Sequence, residues 1–199
     1  MRTAPVVRTA RADELERVTE VFALGFADDP VWGHWTLPDV EDRVAPLRRF
    51  WAPYVQGSAK YDGVLVLDDL SAVALWVPPG VPDLDEASDA AAEQAVTDVC
   101  GERAALINDG WTLFAETRPT QPHWYLSLLA TDPAHRGQGR GMALVAQVLE
   151  RVDAEHAPAY LESTNPGNLA RYRRAGFELV GYFDLPDGPR VDRMWREPR

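Results

Sequence analysis

The chain has 199 residues, 46% of them hydrophobic and 26% charged, a mix that gives a single α/β-sized domain over 1–199 and argues against a disordered chain. Its formal net charge of −11 lacks the basic footprint of a nucleic-acid binder, and no apolar run approaches the ~20 residues of a membrane helix. Cys100 is the sole cysteine, which excludes an intrachain disulfide and a cysteine zinc cluster and fits a reducing cytoplasm.

The opening residues have no long apolar core before a small-residue cleavage site, so no export signal is expected. "APVVRTA" reads as a first strand. "ARADELERVTEVFALGFA" follows, with Leu15, Val18, Val21, Phe22 and Phe26 at helical spacing. "DDPVWGHWTLPD" breaks that period and reads as a loop or short helix. "VEDRVAPLRRFWAPYV" is helical, with Pro46 marking a kink or restart. "YDGVLVLDD" and "LSAVALWVPPG" form a hairpin. From Pro82 to Thr117 the chain is alanine-rich and helical, with breaks suggested at Gly101 and Gly110. "HWYLSLLAT" is a strand. A glycine-rich stretch then leads into a helix striped by Val145, Val148, Leu149 and Val152. "PAYLEST" is a strand, "NPGNLARYRRAG" a short helix ending at Gly176, and "FELVGYFDL" and "RVDRMWRE" are strands around the turn "PDGP". The alternation gives a mixed α/β architecture.

The chemistry-bearing segment is "RGQGRG", residues 136–141, between a strand and a helix. The first-turn amides of a helix lack intrahelical acceptors, and with the helix dipole they favour an anion. Gly137, Gly139 and Gly141 remove Cβ atoms where a phosphate could approach the backbone, and Arg136 and Arg140 add positive charge. No Gly-Lys-Ser/Thr follows, and the glycine spacing is not that of the dinucleotide fingerprint. A flexible helix-start loop is the alternative.

Arg136-x-x-Gly139-x-Gly141, preceded by "LLATDP" and followed by "YLESTNPGNLARYRRAGFELVG", resembles the signature of the GCN5-related N-acetyltransferases (the GNAT family). The likeness runs over nearly the whole chain, strongest from residue 119 onward and weakest over 82–118. "GFADDPVWGHW", "AVALWVPP" and "PDGPRVDRMWREP" are similar to members that acetylate puromycin-like aminonucleoside antibiotics. The resemblance implies the family's fold: a mixed, mostly antiparallel central sheet flanked by helices, with the acetyl-CoA loop between the fourth strand and the following helix. It implies acetyl-CoA as cosubstrate, no metal, a small-molecule primary amine as acceptor, and a possible homodimer.

By the same resemblance, the backbone of Leu129, Ala130 and Thr131 pairs with pantetheine amides. Arg136, Gly137, Gln138, Gly139, Arg140, Gly141 and Met142 bind pyrophosphate, and Asn168 helps hold the pantetheine arm. Arg171 and Arg174 either reach a 3′-phosphate or form a solvated face. Tyr172 matches the family's general acid, and a phenol of pKa ~10 stays protonated at neutral pH. Glu162 is the leading base. Asp28, Asp29, Trp32 and Trp35 border the acceptor, with Trp51, Tyr54, Trp76 and Trp111 as further candidates for its pocket, although the aspartates could cap a helix and the tryptophans could be core. His34, His123 and Cys100 read as structural. A polyamine, peptide or protein acceptor remains open, as does a CoA-binding sensor without turnover.

Overall fold

The computed structural model describes residues 6–199, so the start of the first expected strand lies outside the described residues. Among the described residues seven strands form one sheet: β1 (Val7–Thr9), β2 (Val64–Leu67), β3 (Ala72–Val77), β4 (Trp124–Thr131), β5 (Ala159–Ser163), β6 (Glu178–Asp184) and β7 (Arg190–Arg196). Their order is β1-β2-β3-β4-β5-β7-β6, and only β4 and β5 run parallel. The mixed, mostly antiparallel sheet is therefore as expected. Six α-helices flank it: α1 (Leu15–Phe26), α2 (Val44–Ala59), α3 (Glu86–Cys100), α4 (Ala104–Thr117), α5 (Arg140–Ala154) and α6 (Leu169–Arg174).

Strand alternation sorts the core onto two faces. Val73, Leu75, Leu128 and Ala130 pack under α1, α2 and α4, whereas Ala72, Ala74, Trp76 and Leu126 pack under Leu144, Val145, Val148, Leu149 and Val152 of α5. The valine-leucine stripe read from the sequence is thus the buried face of α5. Among the described residues no helix is long and apolar enough to cross a membrane.

The feature that shapes the site is the parting of β4 from β5. Their pairing covers Trp124–Leu126 against Ala159–Leu161. Beside β3, however, β4 stays paired as far as Thr131. The register with β3 jumps from Leu126 to Leu128, so Ser127 is an extra, bulged residue. A bulge bends its strand and sharpens the local twist. Here it turns β4 away from β5 and leaves the Ser127–Thr131 edge facing β5 with no strand partner.

Two local readings change. Pro46 sits in the first turn of α2, where a missing N–H costs nothing, and neither kinks nor restarts the helix; Pro53 is the proline inside it. Gly101 does break the helical region, at φ +54°, but Gly110 lies within α4. A Cβ there would come within 2.6 Å of the Trp35 ring, so Gly110 serves close packing. As one of its two readings expected, the segment after Asp29 is a short helix: Pro30–Trp35 forms a π-helical turn. Asp29 caps it, accepting from the Val31 and Trp32 amides at 2.9 and 3.1 Å.

Candidate active site

Two cavities open on either side of the β4–β5 gap, and Phe26, Asp29, Leu129, Asn168 and Tyr172 belong to the walls of both. The outer one has a volume of about 760 Å³ and the inner one about 50 Å³.

The outer cavity gathers most residues expected at a pyrophosphate. Ala130, Thr131, Arg136, Gly137, Gly139, Arg140, Gly141 and Met142 line it, with Arg171 and Arg174 opposite. Gly137 and Gly139 adopt left-handed φ of +78° and +74°, and a Cβ at either would meet nothing within 4 Å. They are needed for backbone shape rather than for room. Gly141 is the reverse case, because a Cβ there would press to 2.8 Å from the Thr131 hydroxyl oxygen. Its absence lets the first turn of α5 lie against β4. The arginines are already engaged: Arg136 donates to the Gly25 carbonyl at 3.0 Å, at the end of α1, and Arg140 pairs with Asp69 at 3.1 Å. Asn168 accepts from Arg171 at 2.5 Å. Gln138 is exposed and lies off the cavity wall. Asp28 is exposed and lines the outer cavity, away from the inner one where an acceptor residue was expected.

The inner cavity is aromatic and acidic. Trp32, Trp51, Tyr54, Trp111 and Phe114 form much of its wall. Trp32 stacks on Trp111 at 5.0 Å and meets Trp51 edge-on at 5.1 Å. Trp35, expected beside the acceptor, is buried elsewhere: it lies off this wall and donates from its indole to the Pro186 carbonyl at 3.0 Å. Asp29 is buried, with its second oxygen accepting from Thr164 at 2.9 Å. Burial raises its pKa, against the pull of those three hydrogen bonds. Asp29 therefore fixes the turn that carries Trp32 and ties it to the chain after β5.

Glu162 faces the inner cavity from β5. Parts of its chain are accessible, but Oε1 is buried without a hydrogen bond. Burial pushes its pKa up to about 7, with the Arg118 charge and the Tyr125 and Tyr160 phenols pulling the other way. Tyr172, at the junction, is 9% exposed and packs edge-on against Phe177. Burial, then the charge of Asp29, pushes its phenol up to about 12, so it holds its proton at neutral pH. The site thus pairs a carboxyl poised to exchange a proton near neutrality with a phenol that keeps one.

Trp51, Tyr54 and Trp111, candidates for the acceptor pocket in the sequence, do line this wall with Trp32, whereas Trp76 packs under α5; sequence reasoning passed over Tyr125, Ser127 and Phe114. Helical spacing of the aromatics in α2 and α4 was the available signal. Cys100 is buried, and His34 is exposed. His123 packs on Tyr160 and Trp195, and burial lowers its pKa. Among the described residues no three His, Cys, Asp or Glu side chains are grouped to hold a metal ion.

Residues 91–177 match the model of the acetyltransferase (GNAT) family. The crystal structure of a histone acetyltransferase HPA2 and related acetyltransferase from Corynebacterium glutamicum is 27% identical, with a TM-score of 0.75 over 99% of this chain and 98% of that one. Arylalkylamine N-acetyltransferase 2 from Aedes aegypti is 13% identical, with a TM-score of 0.65 over 99% and 100% of the two chains. The C-terminal condensation domain of Ebony, in complex with beta-alanyl-dopamine, is 12% identical at a TM-score of 0.65 over 98% and 99%. The last two likenesses are of fold alone.

Proposed function

We propose, for a chain that carries a GNAT-family acetyltransferase domain and is an N-acetyltransferase, that its single 1–199 domain acetylates the primary amine of a small molecule carrying an aromatic group. The family's donor is acetyl-CoA. The observation that carries this reading is the meeting of a large, glycine-walled cavity and a small aromatic one at Tyr172.

The outer cavity fits the donor on its own terms. Left-handed glycines and unpaired first-turn amides of α5 offer N–H groups to pyrophosphate, and the free β4 edge offers amides and carbonyls to an extended arm. The bound donor supplies an acetyl thioester. Arg136 and Arg140 shape the loop through Gly25 and Asp69 and add positive charge to the same wall.

In the reaction read here, Glu162 accepts a proton from the ammonium of the acceptor, freeing a lone pair. The amine nitrogen forms its new bond to the acetyl carbon as the carbon–sulfur bond breaks. Tyr172 donates its phenolic proton to the departing sulfur and is reprotonated, through water, by the second proton that the nitrogen sheds as the amide forms, while the proton held by Glu162 leaves to solvent. Amides of the β4 edge stabilise the negative oxygen in between. Holding both reactants at one junction supplies proximity without a covalent enzyme intermediate. Tyr172→Phe is expected to lower kcat by ~10²-fold with acetyl-CoA affinity unchanged. Steady-state kinetics beside calorimetry check this, and unaltered turnover removes Tyr172 as the acid.

Stacked indoles favour a flat acceptor. Together with the sequence resemblance, they place puromycin first in an amine panel that also holds arylalkylamines, polyamines and peptides. Release of free CoA thiol with an aromatic amine, but not with a polyamine, is the expected result. No thiol release with any amine supports a CoA-binding sensor instead. The reading also expects a cytoplasmic enzyme whose buried Cys100 stays a free thiol. It further expects a homodimer joined at β6, an edge strand with Leu179, Val180 and Tyr182 exposed.

A further inference from the structure

We propose that Arg118, stacked on Tyr125 and pinned by Asp83, is a positioning residue for the transfer: its charge governs how readily Glu162 exchanges its proton. This rests on Glu162 being the base.

Arg118 follows α4, in the stretch where the family resemblance is weakest. Its guanidinium lies 3.8 Å from the centre of the Tyr125 ring and donates to Asp83 at 2.7 Å. Tyr125 and Tyr160 are register partners on β4 and β5, and Glu162 lies two residues beyond Tyr160, on the same face of the sheet. Arg193 of β7 is the register partner of Glu162 and donates to the Thr117 carbonyl at 2.5 Å. His123 packs on Tyr160 from the start of β4. Arg118, Tyr125 and Tyr160 thus act on a single carboxyl, with Asp83 behind Arg118, His123 behind Tyr160 and Arg193 beside it in register.

The charges act with opposite signs. Arg118 favours ionised Glu162, and Asp83 disfavours it. Burial works against the Arg118 charge, but Tyr125 and Asp83 more than offset this, so the guanidinium stays protonated throughout. Asp83 therefore holds Arg118 in place while moderating its field, and the pair fixes the pH at which the base becomes free. A guanidinium set over a ring and bonded at the same time to a carboxylate is an arrangement that lysine reproduces only in charge.

The test is a titration of Glu162 in the intact protein carrying ¹³C-carboxyl glutamate, with its resonance assigned by Glu162→Gln. Arg118→Gln should raise the midpoint by about 1 pH unit, and Arg118→Lys should return it most of the way. Asp83→Asn should lower it. The acid limb of kcat/KM should move with each midpoint. A folded Arg118→Gln protein titrating at the wild-type midpoint overturns the proposal, as does an unshifted midpoint in Asp83→Asn if Arg118→Gln does not fold. Midpoints that shift while the acid limb stays fixed overturn Glu162 as the base, and with it the role of Arg118 in the transfer.

Discussion

Glu162→Gln should lower kcat by ~10²–10⁴-fold and, above pH 7, make the protein more stable. Both effects come from one cause. Burial lifts the folded pKa from the ordinary 4.5 to about 7. Between those values the folded chain keeps a proton that the unfolded chain has released, so folding stability falls as pH rises through this window. Above pH 7 the folded state carries a buried charge that glutamine lacks. Urea denaturation should therefore find the variant more stable by about 3 kcal/mol at pH 8 and nearly unchanged at pH 4.5. Equal stability at both pH values would exclude a desolvated Glu162. The same sign sets the rate: wild-type kcat/KM should climb as pH rises through about 7.

Gly139→Asp should weaken acetyl-CoA binding at least ~100-fold. Gly139 caps α5 at φ +74° with open space where its Cβ would be. Aspartate tolerates that dihedral at modest strain, so its main effect is a negative charge at the anion-binding end of the helix. Gly139→Asn supplies the same shape without charge and should retain most of the affinity. Calorimetry on the pair separates the effects. Equal loss in both would assign the glycine to backbone shape alone, and undiminished binding in the aspartate variant would place the donor elsewhere.

Much of this architecture was legible because it is local. The β-rich run in "LSAVALWVPPG" and the stripe from Val145 to Val152 become β3 and the buried face of α5. The glycine loop was readable for the same reason, since strand, loop and helix are contiguous. What sequence concealed depends on neighbours far along the chain. Gly110 looks like a helix breaker until the Trp35 ring fills its side. The tryptophans of the polar 28–39 segment look alike until a π-helical turn sends Trp32 to the cavity and Trp35 to Pro186. Asp83 and Arg118 are 35 residues apart, and no periodicity links them to Glu162. A near-neutral carboxyl is a product of burial, which composition does not encode.

The bond from Thr164 to Asp29 spans 135 residues, the Trp35–Pro186 bond spans 151, and the Val7 amide reaches Gln147 across 140. Each ties an element made early in synthesis to one made late. A nascent chain still lacking its last quarter has no Pro186 to hold Trp35 and no β7 to flank β5. Consolidation of the aromatic chamber must then await release of nearly the whole polypeptide from the ribosome. Until that moment Trp35 is apolar surface without its late-made partner, of the kind that chaperones bind.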